Sequence, residues 1–473
     1  MCTGITLHRR RALGPNIVDV VVVGAGISGL AVAYELRTRN RSVLVLEKSG
    51  KAGGVIQTER VGEFVIDAGP DSLLVQKPAA LQLCKEIGLA DRLMPTKPPR
   101  TAYILRGGRL HSLPGASVLG FPTQALPLLR SSLFSAAAKV RMGAELFVPK
   151  RRVQGDESIA GFVGRRFGAE AVTYIAEPLL AGIHGGDVER LSMRALFPRF
   201  LEAEARSGSV IRSFRKMQVR PTSDGAFRSF PTGLAELVEG LMRLMPEAAV
   251  QFRATVARIE PRTDGFAVQV EGQPSIHARA VVLACPAFAA VDLLRPLDQA
   301  LADLCASINY LSTATVVMAF PRESVRHSLQ GTGFVVPRSE GLNITAGAWI
   351  SSKWAHRAPE GHVLLRAFLG GARDPDVLAK TDDELTAIAL REMGGILGIT
   401  GPANFSRVYR WPRSSPQQEV GHMELMAKID AQLAKHAGLF VSAAGFRGVG
   451  IPDCVADGRN VAVAATAYVQ NGA

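Results

Sequence analysis

"VDVVVVGAGISGLAVAYELRTRNRSVLVLEK" (residues 18–48) decides the fold. Residues 18–23, "VDVVVV", are a β-branched run, the pattern of a strand buried on both faces of a parallel sheet. "GAGISG" follows, with Gly24, Gly26 and Gly29 in GxGxxG spacing. "LAVAYELRTRN" then has helical periodicity, and "SVLVLEK" reads as a second strand. Gly24 allows the tight turn, Gly26 lets backbone approach a pyrophosphate, and Gly29 lets the helix pack on the strand. The helix start at Gly26, Ile27 and Ser28 offers unpaired N–H groups and a positive dipole end to phosphates. Glu47, 21 residues after Gly26, is placed with Lys48 at the strand end, where its carboxylate can accept hydrogen bonds from a ribose diol. A lone GxGxxG says little. Set between strand and helix, with an acid at this distance, it specifies a dinucleotide site.

The next stretch, "KSGKAGGVIQTERVGEFVIDAGPDS" (48–72), carries a further glycine pair, Gly53 and Gly54, beside the ribose and phosphates. No second strand–GxGxxG–helix unit occurs, so a separate nicotinamide domain is not expected. If the dinucleotide is a flavin, its electrons must leave for oxygen, a quinone or a protein. The far end, "GLFVSAAGFRGVGIPDCVADGRNVAVAATAYV" (438–469), reads as a buried strand over 439–443, a loop with Gly445, Gly448 and Gly450, and a final helix from Asp453. Backbone N–H groups near Gly450 and Ile451 can stabilise negative charge on a reduced flavin ring.

With 473 residues, 47% hydrophobic and 21% charged, the chain has ample core and needs no disulfide or metal to fold. The longest apolar stretch, 280–291, is 12 residues and contains Pro286, too short to span a bilayer. The net charge of +13 suits an anionic partner or plain solubility, and no nucleic-acid motif accompanies it. The five cysteines form no CxxC pair, which fits a reducing compartment. The first residues, "MCTGITLHRRRALGPNIV", lack the apolar core of a signal peptide, so the cytoplasm is the expected location.

"KAGGV" (51–55) resembles the RxGGR flavin-binding extension of the amine-oxidase-like flavoproteins. Taken with "GPDS" (69–72), "RLHSLPG" (109–115), "GFPTQALP" (120–127), "EPLLAGIHGGDVERLSMRALFP" (177–198), "GTGFVVPR" (331–338), "WAHRAPEGHVLLRAFLGG" (354–371) and "GFRGVGIPDC" (445–454), the chain resembles the oxygen-dependent porphyrinogen oxidases, nearest to the coproporphyrinogen III type. This resemblance implies an α/β + α fold. A discontinuous Rossmann-like FAD-binding domain covers 17–62, 225–295 and 412–471. A mixed-sheet substrate-binding domain covers 63–112, 211–224 and 296–411, and a helical domain 113–210. It implies non-covalent FAD and no metal. It also implies a tetrapyrrole polycarboxylate substrate, oxygen as acceptor, and a ferrochelatase downstream. Chemistry at flavin N5 calls for no catalytic acid–base dyad.

The same resemblance places Val256 by the adenine, Trp411 near the cofactor, and Gly182 against the substrate. Protoporphyrinogen oxidases carry an Arg just before Tyr103, where this chain has Ala102, with Arg100 two residues earlier. That departure agrees better with the coproporphyrinogen type. Lys77 is expected at a substrate propionate. Asp71 orients a pyrrole N–H or caps a turn. His184, replacing a family Tyr, is a proton carrier or a tolerated substitution. Some of Leu311, Val335 and Ile344 should sandwich the macrocycle. The helical domain docks on membranes in protoporphyrinogen oxidases, which implies a peripheral place on the inner face. Arg130, Lys139, Arg141, Lys150, Arg151 and Arg152 suit anionic lipid or, equally, a solvated face. Either Asp156 or Ser158 caps a helix, and 212–225 reads as a basic loop. A protoporphyrinogen IX oxidase, a flavin amine oxidase and a flavin-binding scaffold with little turnover are the alternatives.

Overall fold

The computed structural model describes residues 17–114, 117–122, 124–152, 155–216 and 224–471. The basic N-terminal arm and residues 217–223 of the basic loop lie outside the described residues.

Strand β1 (Ile17–Val23), helix α1 (Ile27–Thr38) and strand β2 (Val43–Glu47) form the first unit. Val20, Val21 and Val22 are fully buried because both faces of their sheet are covered. That sheet has the order Val250–Phe252, β2, β1, Ile276–Leu283, Gly265–Val270, Val256–Arg262, and Leu439–Val441 also pairs with Ile276–Leu283. The strands around β1 are parallel, and Val256–Arg262 and Gly265–Val270 form an antiparallel hairpin. Helix α1 is buried from Ile27 to Ala33 and lies against the C-terminal helix Ile451–Asn471. The opposite ends of the chain thus share one core. The last strand is shorter than its apolar run, ending at Val441, and the final helix starts at Ile451 rather than Asp453.

A second, mixed sheet has the order Phe405–Pro416, Tyr310–Pro321, His362–Gly370, Ile344–Trp349, Gly333–Val335, Ala102–Arg106, Arg109–Ser112. Only Gly333–Val335 and Ala102–Arg106 run parallel. The Phe405–Pro416 strand stays paired as far as Tyr310↔Pro416, so a boundary at 412 would cut through it. The hairpin Thr58–Val61/Phe64–Asp67 straddles 62/63, and helix Val210–Lys216 straddles 210/211. Hydrogen-bonded pairing thus holds together segments that the expected boundaries separated.

Between Ala125 and Lys216 the described chain is mostly helical. Ser158 caps helix Ile159–Phe167 by accepting from the Gly161 N–H. Asp156 instead accepts from the Ser192 hydroxyl at 2.7 Å and the Gly421 N–H at 3.1 Å. Arg166, fully buried, is paired with the equally buried Glu145 and with Glu204. Val172–Ala181 is a wide, π-type stretch containing Pro178, whose missing N–H breaks the ordinary helical ladder. Cys84, Cys285, Cys305 and Cys454 are free thiols, each pushed up to about 12 by burial. Among the described residues no helix is long and apolar enough to cross a membrane, and no side-chain cluster suits a metal ion.

Candidate active site

The parallel sheet ends in a crease. The Ala25 N–H donates to the Glu47 carboxylate at 2.7 Å, and the Ser49 N–H donates to its other oxygen at 2.8 Å. Gly53 N–H donates to Ala25 O at 2.8 Å, bringing the second glycine pair onto the first. Ala254 N–H donates to Glu47 O at 2.9 Å, which sets Val256 two residues from the same point. Lys48 is exposed just beyond it. Gly450 and Ile451 open the helix that packs on α1.

These residues fit a dinucleotide. A Cβ at Gly29 would stand 1.9 Å from Gly24 O, so only glycine lets the helix start this close to the strand. In front of Gly26 there is open space, with nothing within 4 Å of where a Cβ would be. No side chain caps α1 and no acid lies in its first turn, so the N–H groups of that turn face the space uncapped. Further along, the Trp411 indole N–H is buried without a partner, beside Gly69 and Val55. A flavin reaching from the α1 end past Gly53–Gly54 to Trp411 has a donor waiting.

A cavity of about 720 Å³ lies against one face of the second sheet. Val55 and residues 68–72 close one side. Gly182, Ile183 and Gly185, following the π-type stretch, close another. Val335 and Phe368, aligned across the sheet, supply apolar wall. Asp71, Arg100, Gly182, Trp411 and Val335, all expected from the sequence, line it together. Lys77 does not. Its ammonium is bound to Asp453 at 2.7 Å, at the start of the C-terminal helix. Leu311 is not in the wall either, and Ile344 is fully buried in the core.

Two charged wall residues were missed by sequence reasoning, Lys353 and Arg366. Arg366 was visible in principle: a lone cation inside the apolar strand "HVLLRAFLG" rarely goes unpaired when buried. Its guanidinium donates to Gly69 O at 3.1 Å and to Asp67 O. Lys353 lies in a short helical turn after Trp349 and carries no such signal.

Burial would raise the Asp71 carboxyl, but Lys353 and then Arg366 outweigh it and hold the group well below the usual carboxylate range. His184 is pushed down to about 4, chiefly by burial, with Lys77 adding to the shift and Asp453 opposing it. Its ring meets Phe197 edge to face and does not line the cavity; its carbonyl accepts from Ser415 Oγ at 2.5 Å and Gln417 Nε2 at 3.0 Å. The neutral ring packs in the loop.

Residues 27–466 match the family of flavin-containing amine oxidoreductases. Coproporphyrinogen III oxidase of Bacillus subtilis (strain 168) is 33% identical over 464 residues, covering 95% of this chain and 98% of that protein. Chloroplastic protoporphyrinogen oxidase of Nicotiana tabacum is 28% identical over 481 residues, covering 96% and 86%. A crystal structure from Exiguobacterium sp. 255-15, assigned as a protoporphyrinogen oxidase, superposes with a TM-score of 0.86 at 29% identity, covering 96% and 100%. Putrescine oxidase, at 16% identity and a TM-score of 0.70, shares the fold. FAD is therefore the cofactor of this oxidoreductase, and the chain belongs to the flavin-containing amine oxidoreductases, within their porphyrinogen oxidase branch.

Proposed function

We propose that the protein oxidises coproporphyrinogen III to coproporphyrin III in haem biosynthesis, with oxygen as the electron acceptor. The observation that carries this reading is the cavity itself. It is broad, within the roughly 300–1,000 Å³ of ligand pockets, and among the described residues its wall holds Arg100, Lys353 and Arg366 against one acid. Such a balance favours a polycarboxylate over an amine. The names of the bacterial relatives point the same way.

Bound FAD supplies the two-electron acceptor. The protein's own part is placement. Gly24–Gly29, Glu47 and Gly53–Gly54 hold the dinucleotide, and Trp411 offers its N–H at the cavity end. Val335 and Phe368 face a flat macrocycle, while Arg100 and its neighbours attract carboxylates. No side chain need act as an acid–base pair, since pyrrole N–H groups can release protons to solvent. Protoporphyrinogen IX is the second reading, favoured by the name of the tobacco relative.

Purified, FAD-loaded protein should be given each porphyrinogen anaerobically and then in air, with flavin absorbance and porphyrin fluorescence followed. Coproporphyrinogen should show the higher kcat/KM. An equal or reversed ratio would reject the substrate preference. Flavin that stays reduced in air would reject oxygen.

The helical region extends this proposal to a peripheral place on an anionic membrane. Leu126, Leu129, Val140 and Phe147 are exposed on it. Four of the six basic residues singled out from the sequence are engaged within the chain. Lys139 and Lys150 donate to the Leu129 and Ala205 carbonyls, Arg141 donates to the Arg165 and Arg166 carbonyls, and Arg151 pairs with Glu157. The apolar residues would therefore carry most of the contact. Flotation with anionic and neutral vesicles tests it. Retention of Phe147→Glu protein on vesicles as strong as wild type would reject it.

A further inference from the structure

Among the described residues lining the cavity, Asp71 is the only Asp or Glu. Its carboxylate accepts from Lys353 Nζ at 2.8 Å and from Ser72 Oγ at 2.8 Å. The pair joins segments 282 residues apart, with the two side chains only 15% (Lys353) and 11% (Asp71) exposed. The Lys353 ammonium also sits over the Phe227 ring at 5.5 Å and the Trp354 ring at 5.1 Å. Two aromatic faces and one carboxylate thus enclose it. Behind Asp71 stands Arg366, fixed by the carbonyls of Asp67 and Gly69. Asp67, ion-paired to Arg357, completes the charges around the carboxylate, and Arg100 lies elsewhere on the cavity wall.

An isolated carboxylate so enclosed would take up a proton to escape desolvation. Lys353 is the nearest group that prevents this. A porphyrinogen presents pyrrole N–H donors, and losing a hydride from a bridge carbon leaves the macrocycle one positive charge richer. The hydride's electron pair goes to the oxidised FAD, which is thereby reduced by two electrons. An N–H proton then passes to water and restores neutrality.

We propose that Lys353 is a positioning residue that keeps Asp71 a fixed anion in the cavity wall, where the carboxylate accepts pyrrole N–H groups and offsets the charge developing on the macrocycle. A preorganised charge aimed at developing charge is an efficient use of a dry site. The inference rests on the porphyrinogen reading of the cavity.

The test compares FAD-loaded wild type, Lys353→Met, Lys353→Arg and Asp71→Asn across roughly pH 5–9. The readouts are kcat/KM and quenching of bound coproporphyrin III fluorescence. Wild type should show no acid limb from this carboxylate. In Lys353→Met, burial should lift Asp71 into the mildly acid range. Activity and porphyrin binding should then fall on the order of tenfold at the acid end and recover at the alkaline end. Lys353→Arg should restore the flat profile, and Asp71→Asn should lose activity at every pH. A pH-independent loss in Lys353→Met, or a profile equal to wild type, overturns the proposal. If Lys353→Met does not hold FAD, Asp71→Asn decides alone, and a loss below about twofold overturns it. Wild type that oxidises neither porphyrinogen is a separate result: it rejects the substrate reading, and the inference falls with it.

Discussion

Lys77 Nζ lies 2.8 and 2.7 Å from the two oxygens of Asp453, tying together residues 376 positions apart. The pair fastens the first turn of the C-terminal helix to the segment leading into helix Ala79–Glu86. It is solvent-accessible, so its worth is at most about 1 kcal/mol. Lys77→Met and Asp453→Asn should each cost no more than this, and the double variant should be no worse than either. Urea unfolding of the set provides the comparison.

Position relative to the cavity ranks the substrate contacts. Arg100→Ala should raise KM for coproporphyrinogen about tenfold, with kcat less affected, because Arg100 lines the cavity. Lys77→Met should raise it less. Steady-state kinetics on the two variants would settle the order.

His184 gives the fold an acid sensitivity. Its value in the folded protein, about 4, lies below the ordinary 6.5, so the unfolded chain binds the extra proton first. The stability is fully present above about pH 6.5 and lost as pH falls toward 4, at most roughly 3 kcal/mol. His327 and His422, also lowered by burial, act in the same direction. His184→Asn should flatten, without abolishing, the fall in melting temperature between neutral and acid buffer.

Glu47 and Gly29 should control cofactor retention. Glu47→Ala removes charge-assisted hydrogen bonds and should weaken FAD binding about 10–100-fold, read by flavin fluorescence on dilution. Gly29→Ala forces a Cβ against Gly24 O and should yield protein without yellow colour.

Arg166→Met strands the Glu145 carboxylate, which is fully buried and accepts from Ser209 Oγ and the Val210 N–H. A loss of about 3–5 kcal/mol is expected. Calorimetry would show it, and an unchanged transition would remove Arg166 from the account of this region's stability.

The dinucleotide crease was legible because its information is local: a buried strand, three spaced glycines and an acid within one short stretch. The glycine-rich end of the chain could be assigned to the same core for a similar reason. The cavity's electrostatics were not legible. Lys353 meets Asp71 across 282 positions, and nothing in "WISSKWAH" marks its partner. Lys77 was expected at a propionate from the family resemblance alone, while its partner in the fold, Asp453, stands 376 residues on. The strand reaching Pro416 was cut short for want of its pairing partner, Tyr310, which only the sheet reveals.

The four described thiols, three of them buried and Cys285 half-buried, all favour their protonated form, and this has a chemical consequence. With oxygen as acceptor, every turnover would release peroxide inside the protein's own fabric. Peroxide attacks thiolates far faster than thiols. If peroxide is formed, these four protonated thiols would resist being scarred by it better than thiolates would.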